Sequence, residues 1–222
     1  MKKDIEHRAF AVIGLGSFGS TVAVELARLG NRVIGIDCDE LPVSQLADLL
    51  SDAVIADGRD ERALKELDLG RYDAVLIAIG NDLEASIVST MNVKMLGVEQ
   101  IWVKAVSRTH HRILSKIGAD RVVEPEREFG MHVAQMLHNP SVYDYVSLGN
   151  GFNVVNFEVP KQLDGRSLGE LGLGGIDELR CLGLMRGSEY LPPERADTIL
   201  REHDRLLLLG RRQALRQFSD KV

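Results

Sequence analysis

The run Val12-Ile13-Gly14-Leu15-Gly16-Ser17-Phe18-Gly19 constrains this chain more than any other stretch, because G-x-G-x-x-G leaving an apolar strand and opening a helix fits few backbone turns. In that context Gly14 permits the tight turn, Gly16 lets a phosphate come close to the backbone, and Gly19 lets the helix lie against the strand. Ser17 and Phe18 open the helix, whose free N–H groups and positive dipole end favour an anion. Asp37 stands at the end of the next apolar strand, 18 residues on from Gly19. A carboxylate there accepts both ribose hydroxyls of a nucleotide and disfavours a 2′-phosphate, so NADP is not expected.

Up to about residue 125, short β-branched runs alternate with helical periodicity, which predicts an α/β fold with a Rossmann-type doubly wound parallel sheet. Strands are expected at 9–13, 32–36, 53–55, 74–79, 101–103 and 121–123, and helices at 18–29, 60–67, 83–96 and 109–117. Gly30, Gly70, Gly97 and Gly118 stand where those helices should stop, since glycine takes the left-handed cap conformation without steric cost. A further helix is expected at 127–138, ending at Asn139-Pro140. The organisation reads as a nucleotide-binding domain at 1–124, a crossover helix and linker at 125–140, and a small α+β module at 141–222. In that module, strands are expected at 143–147, 152–159, 181–186 and 205–209, and brief helices at 167–171 and 214–218. So small a module is expected to lean on a second copy of the chain.

The longest apolar runs, 74–79 and 206–209, fall far short of the roughly 20 residues that cross a bilayer, and the start of the chain lacks a secretory pattern, so a cytoplasmic protein is expected. Cys38 and Cys181 are far apart and offer neither a disulfide framework nor a zinc spacing. A net charge of −6 and no clustered basic face argue against nucleic acid as a partner. His110-His111 reads as a helix-start or solvent-facing pair rather than a metal site, because adjacent helical side chains diverge by about 100°. Cys38 reads as a small packed residue without a catalytic partner.

Open α/β sheets bind ligands beyond the carboxyl ends of their strands, and three further positions lie there. Asp57 follows the third strand and either hydrogen-bonds an adenine amine or caps the next helix. Ala78, Ile79 and Gly80 follow the fourth. Lys104 closes the fifth, where a lysine is expected to contact phosphate.

With Gly14 to Gly19, Asp37, Ala56-Asp57-Gly58, Ile77-Ala78-Ile79-Gly80, Trp102-Val103-Lys104-Ala105 and Gly118-Ala119-Asp120-Arg121-Val122-Val123-Glu124-Pro125-Glu126, the chain resembles the RCK or KTN family, regulators of potassium conductance. The likeness is to regulatory subunits of bacterial potassium uptake systems of the KtrA and TrkA type, and Leu163-Asp164-Gly165-Arg166-Ser167-Leu168 followed by Asp204-Arg205-Leu206 is similar to the family's C-terminal module. The resemblance implies a homo-oligomeric ring of eight subunits, peripheral to the inner face of the membrane beneath an integral-membrane potassium transporter, with ATP and ADP stabilising different ring shapes. It also implies that the carboxylate of Glu126 reaches toward the phosphates of a neighbouring subunit's nucleotide through a cation, Mg²⁺ or Na⁺. The alternative for Glu126 is an acid in the first turn of a helix.

Two positions depart from the family pattern. Ser17 stands where ATP-responsive relatives carry an arginine, which keeps NAD(H) open as the ligand, and Gly172-Leu173-Gly174-Gly175 stands where some relatives supply an arginine for cyclic di-AMP, which is not expected here. The rival function is an NAD(H)-dependent oxidoreductase. Hydride transfer needs a substrate pocket with a placed acid or base, and the stretch that follows the Rossmann unit carries no such cluster, so a non-enzyme is expected.

Overall fold

A computed structural model describes residues 8–138, 141–173, 179–193 and 197–221. Two compact units divide between Glu126 and Arg127. The first runs β1 (Ala9–Ile13), α1 (Ser17–Arg28), β2 (Arg32–Asp37), α2 (Glu40–Leu46), β3 (Asp52–Ile55), α3 (Glu61–Glu66), β4 (Ala74–Ile77), α4 (Leu83–Met95), β5 (Ile101–Lys104), α5 (Arg108–Ile117) and β6 (Arg121–Val123). Its six strands are parallel in the order β3-β2-β1-β4-β5-β6, the doubly wound arrangement.

The apolar runs explain this sheet. In β1, Ile13 packs into one core with Ile36, Ile77, Val103, Leu64 and Leu114, while its neighbour Val12 packs into another with Leu15, Ala23, Val33 and Leu46. Successive side chains of a strand point to opposite faces, so both faces are covered and β1 reads as continuously apolar. Each such side chain contributes about 1.5–3 kcal/mol by leaving water. The order of strands reverses at β1 and β4, which opens a crevice beyond their carboxyl ends.

Several boundaries differ from expectation. Strand β4 ends at Ile77, and Ala78 already belongs to the following turn, its N–H donating to Ile13 O at 2.7 Å. Gly70 does not stop a helix. It sits inside the 3-10 turn Leu69–Arg71, and the left-handed residue after α3 is Asp68, with φ 51°. Gly30, Gly97 and Gly118 do have positive φ. Helix α2 is not among the expected helices; Pro42 lies in its first turn, where its missing N–H has no helical partner to lose.

The second unit contains most of α6 (Pro125–His138), then β7 (Val142–Gly149), β8 (Phe152–Glu158), β9 (Leu179–Arg186), β10 (Glu189–Leu191), β11 (Arg205–Arg211) and α7 (Arg212–Ser219). Helix α6 begins two residues earlier than the periodicity suggested, with proline at its first position. The expected stop at Asn139-Pro140 lies outside the described residues, as does Gly174-Gly175. The sheet is antiparallel, ordered β10-β9-β11-β8-β7, and α7 covers it with Leu215 and Phe218, the latter edge-on to Phe157 at 5.3 Å. The expected helix at 167–171 is a 3-10 turn, Leu168–Leu171, and β10 is an additional edge strand. Among the described residues no helix is long and apolar enough to cross a membrane.

Candidate functional site

The turn between β1 and α1 is held from three sides. Gly14 has φ 93°, its N–H donates to Ile36 O at 2.8 Å, and a Cβ there would lie 3.0 Å from Ile79 N and 3.1 Å from Ala78 C. A Cβ on Gly19 would lie 1.9 Å from Gly14 O, so α1 can enter only over a glycine. Gly16 differs from both. Its φ is −64°, open to any residue, and a Cβ would meet nothing of the protein within 4 Å. As the N-cap it supplies no side chain to the first N–H groups of α1, and Ser17 beside it is exposed. What Gly16 provides is bare backbone facing open space.

Asp37 ends β2 and reaches across to that turn. Its Oδ2 accepts the Leu15 N–H at 2.6 Å and its Oδ1 accepts the Asp39 N–H at 3.0 Å. The carboxylate therefore shapes the glycine turn, and each oxygen retains a lone pair for a hydroxyl donor. Cys38 next to it is exposed rather than packed; desolvation and then Asp37 raise its thiol pKa, which does not suit a nucleophile.

Asp57 does not cap α3. That role belongs to Asp60, which accepts N–H bonds from Arg62 at 2.9 Å and Ala63 at 3.3 Å. Asp57 instead binds Arg59 through its backbone N–H at 2.9 Å and its guanidinium at 2.7 to 3.1 Å, and those hydrogen bonds hold its carboxyl below the usual carboxylate range. Arg59 also lies 3.8 Å from Asp82, the N-cap of α4. Buried Asn92 fixes this corner by donating to Gly58 O at 3.1 Å and Arg59 O at 2.9 Å. Sequence reasoning missed Arg59 and Asn92. The Asp-x-Arg spacing after a strand was a usable signal for the first, whereas nothing local marks the second.

Lys104 and Glu126 come together. The register pairs Lys104 with Val123, which sets the first turn of α6 beside the end of β5. Lys104 Nζ lies 2.5 Å from Glu126 Oε1; the lysine side chain is 11% exposed and the glutamate 67%. The same ammonium stands 5.7 Å from the Phe18 ring centroid, and a Cβ on Gly80 would approach it to 3.2 Å. The hydrogen bond from Lys104 holds the Glu126 carboxyl below its usual range. Thus Gly14 to Gly19, Asp37, Ala78 to Gly80, Lys104 and Glu126 converge at one crevice, with Asp57 turned toward Arg59. His110 is not solvent-facing: it is buried at the start of α5, accepting the Val106 N–H at Nδ1, while His111 lies 3.3 Å from Glu124.

A nucleotide fits this crevice on the chain's own geometry, since the open space at Gly16, the free lone pairs of Asp37 and the ammonium of Lys104 match phosphate, ribose and phosphate again. A cation fits less fully by itself. Glu126 offers one carboxylate, and Mg²⁺ or Na⁺ needs several oxygens, so phosphate and water must complete the set.

The TrkA-N domain matches residues 10–125 and the TrkA-C domain residues 154–222. The chain is 33% identical to the Ktr system potassium uptake protein A of Bacillus subtilis (strain 168), over 98% of each chain, and 38% identical to the protein of that name from Vibrio alginolyticus, over 91% of this chain and 92% of that one. The fold is shared with the GsuK RCK domain at TM-score 0.67 and 16% identity, covering 98% of this chain and 48% of that one. It is shared also with the GsuK channel bound to NAD, at TM-score 0.66 and 17% identity, covering 96% and 39%.

Proposed function

The chain belongs to the TrkA-N and TrkA-C domain family, and from that premise we propose that it is a nucleotide-binding regulatory subunit of a membrane potassium uptake system. The observation that carries the nucleotide reading is Gly16, a glycine demanded by neither conformation nor packing, placed where a phosphate would meet the first turn of α1. In this reading Gly14, Gly16, Ser17, Phe18 and Gly19 frame the phosphates, Asp37 holds the ribose, and Ala78, Ile79 and Gly80 floor the crevice. Lys104 meets phosphate charge. Asp57 borders the adenine through Arg59 rather than alone.

ATP and ADP are the ligands this reading favours, and exchange between them switches the shape of an octameric ring seated at the inner face of the membrane beneath the transporter. Glu126 contributes a carboxylate to a Mg²⁺ or Na⁺ ion at the phosphates. A ligand shifts such a ring only by its difference in affinity for two shapes, so the difference must lie where ATP and ADP differ, at the phosphate end near Lys104 and Glu126. NAD(H) remains the second ligand. Ser17 supplies a hydroxyl where a charge would select ATP, and a channel of the same fold binds NAD.

Thermal shifts with ATP, ADP, NAD and NADH, with and without Mg²⁺, measured beside the solution mass, test this. The expected result is stabilisation by ATP and ADP in an assembly of about eight chains. Selective stabilisation by NADH in a dimer would instead favour an oxidoreductase.

A further inference from the structure

We propose that Glu126 is a specificity-determining residue of this crevice: it occupies Lys104 as a built-in anion, so a nucleotide binds according to the phosphate charge with which it takes Lys104 from that carboxylate. The proposal rests on the nucleotide reading above and adds a competitor inside the same chain.

The two partners of the pair are unequal. Lys104 is buried at the end of the inner strand β5, and its ammonium is surrounded by the Phe18 ring, the Gly80 backbone and the Glu126 carboxylate. A buried cation without a counter-anion is strongly unfavourable, so some anion must stand there in every state of the protein. Glu126 is that anion in the unliganded chain. It is two-thirds exposed on the first turn of α6, so releasing it returns a carboxylate to water at little desolvation cost.

The location ties the pair to the ligand. Phe18 belongs to the first turn of α1, immediately after Gly16 and Ser17, so the ammonium it faces overhangs the place where phosphates meet that turn. Gly80 narrows the gap from the side of β4. A phosphate in the turn and the Glu126 carboxylate compete for one ammonium. Because Glu126 is tethered beside Lys104 by the β5–β6 register, it competes at a high effective concentration and reduces the apparent affinity by the fraction of chains in which it holds the lysine. A nucleoside without phosphates does not contest Lys104 and escapes that reduction. Gly16 makes room for any phosphate, whereas Glu126 makes the number of phosphate charges count.

Titration calorimetry of the full chain with ATP, ADP and adenosine in EDTA, which removes any bridging cation, tests the competition. Glu126→Gln is expected to tighten ATP by about tenfold, the factor that ~1.4 kcal/mol represents, to tighten ADP by less, and to leave adenosine unchanged. The unliganded melting temperature should fall at the same time, because Lys104 has lost its anion. In a Lys104→Gln background the same substitution should change nothing, which isolates the pair from any general effect of Glu126 on folding. ATP affinity in Glu126→Gln equal to or below that of the wild-type chain would overturn the competition, as would a gain that persists without Lys104. If the wild-type chain bound neither ATP nor ADP, the nucleotide reading itself would fail.

Discussion

Gly16→Ala and Gly19→Ala add the same methyl group to two different surroundings. At Gly19 it would collide with Gly14 O, and relief of that overlap should cost at least about 1–3 kcal/mol of stability. At Gly16 it meets open space on a backbone any residue adopts, so urea denaturation should show a change within about 1 kcal/mol, the span by which glycine and alanine differ at a helix N-cap. Its ATP affinity should nonetheless fall by about tenfold or more, because the methyl occupies the approach of the phosphate. Retained affinity in Gly16→Ala would remove the turn from the ligand site. The motif shows three glycines of equal standing, and the division of labour among them becomes visible only with the neighbours in place. Spacing alone singles out Asp37 at the end of β2, but its bond to Leu15 was not legible, since that contact depends on the turn having already folded. Asp37→Asn keeps an acceptor for Leu15 while weakening the ribose contact, so nucleotide affinity should drop with little loss of fold, which calorimetry beside circular dichroism will decide.

At the scale of elements, all six strands of the parallel sheet were legible, the inner β1, β2, β4 and β5 because parallel strands covered on both faces are almost continuously apolar. Helix α2 was not, since the tolerance of Pro42 in a first turn depends on where the helix starts. Asp57 and Asp60 show the same limit: each is an acid before α3, and only the backbone decides that Asp60 caps while Asp57 holds Arg59. Asp60→Ala should therefore destabilise the first unit by about 1 kcal/mol in urea, whereas Asp57→Ala leaves the cap in place. Helix α5 carries a pH dependence. Burial holds the His110 imidazole below its ordinary pKa of 6.5, and its Nε2 finds no hydrogen-bond partner among the described residues. A histidine whose pKa is lower folded than unfolded favours the unfolded chain once protons bind there. Stability from this group is thus complete above about pH 6.5 and declines as pH falls toward the folded value, by at most about 1.4 kcal/mol per pH unit. His110→Asn, which keeps an acceptor for Val106, should flatten that decline across denaturation curves from about pH 7.5 to 5.5, and an unchanged slope would assign the acid sensitivity elsewhere.

For the whole molecule, each unit carries its own hydrophobic core, and the gating reading requires that the first unit's ligand be felt beyond the first unit. The second unit has its own anchor in Asp204, 3% exposed, which accepts Arg186 at 2.6 and 3.0 Å and the Arg201 N–H at 2.8 Å. Asp204→Ala should destabilise that unit by about 3 kcal/mol, the lower end for a buried pair because Arg186 keeps a quarter of its side chain in water, and should speed hydrogen exchange in β9 and β11. ATP at a hundred times its Kd adds about 2.7 kcal/mol to whatever it binds, so exchange should slow at the turn after β1 and at the end of β5. ADP at the same saturation should slow those segments too, yet leave a different pattern along α6, which begins at Pro125, carries Glu126 in its first turn and continues into the second unit. A nucleotide with equal affinity for two conformations shifts neither, however tightly it binds. If ATP and ADP gave the same exchange pattern along α6, the crevice would still be a nucleotide site, but exchange of one for the other could not be the signal that sets the transporter.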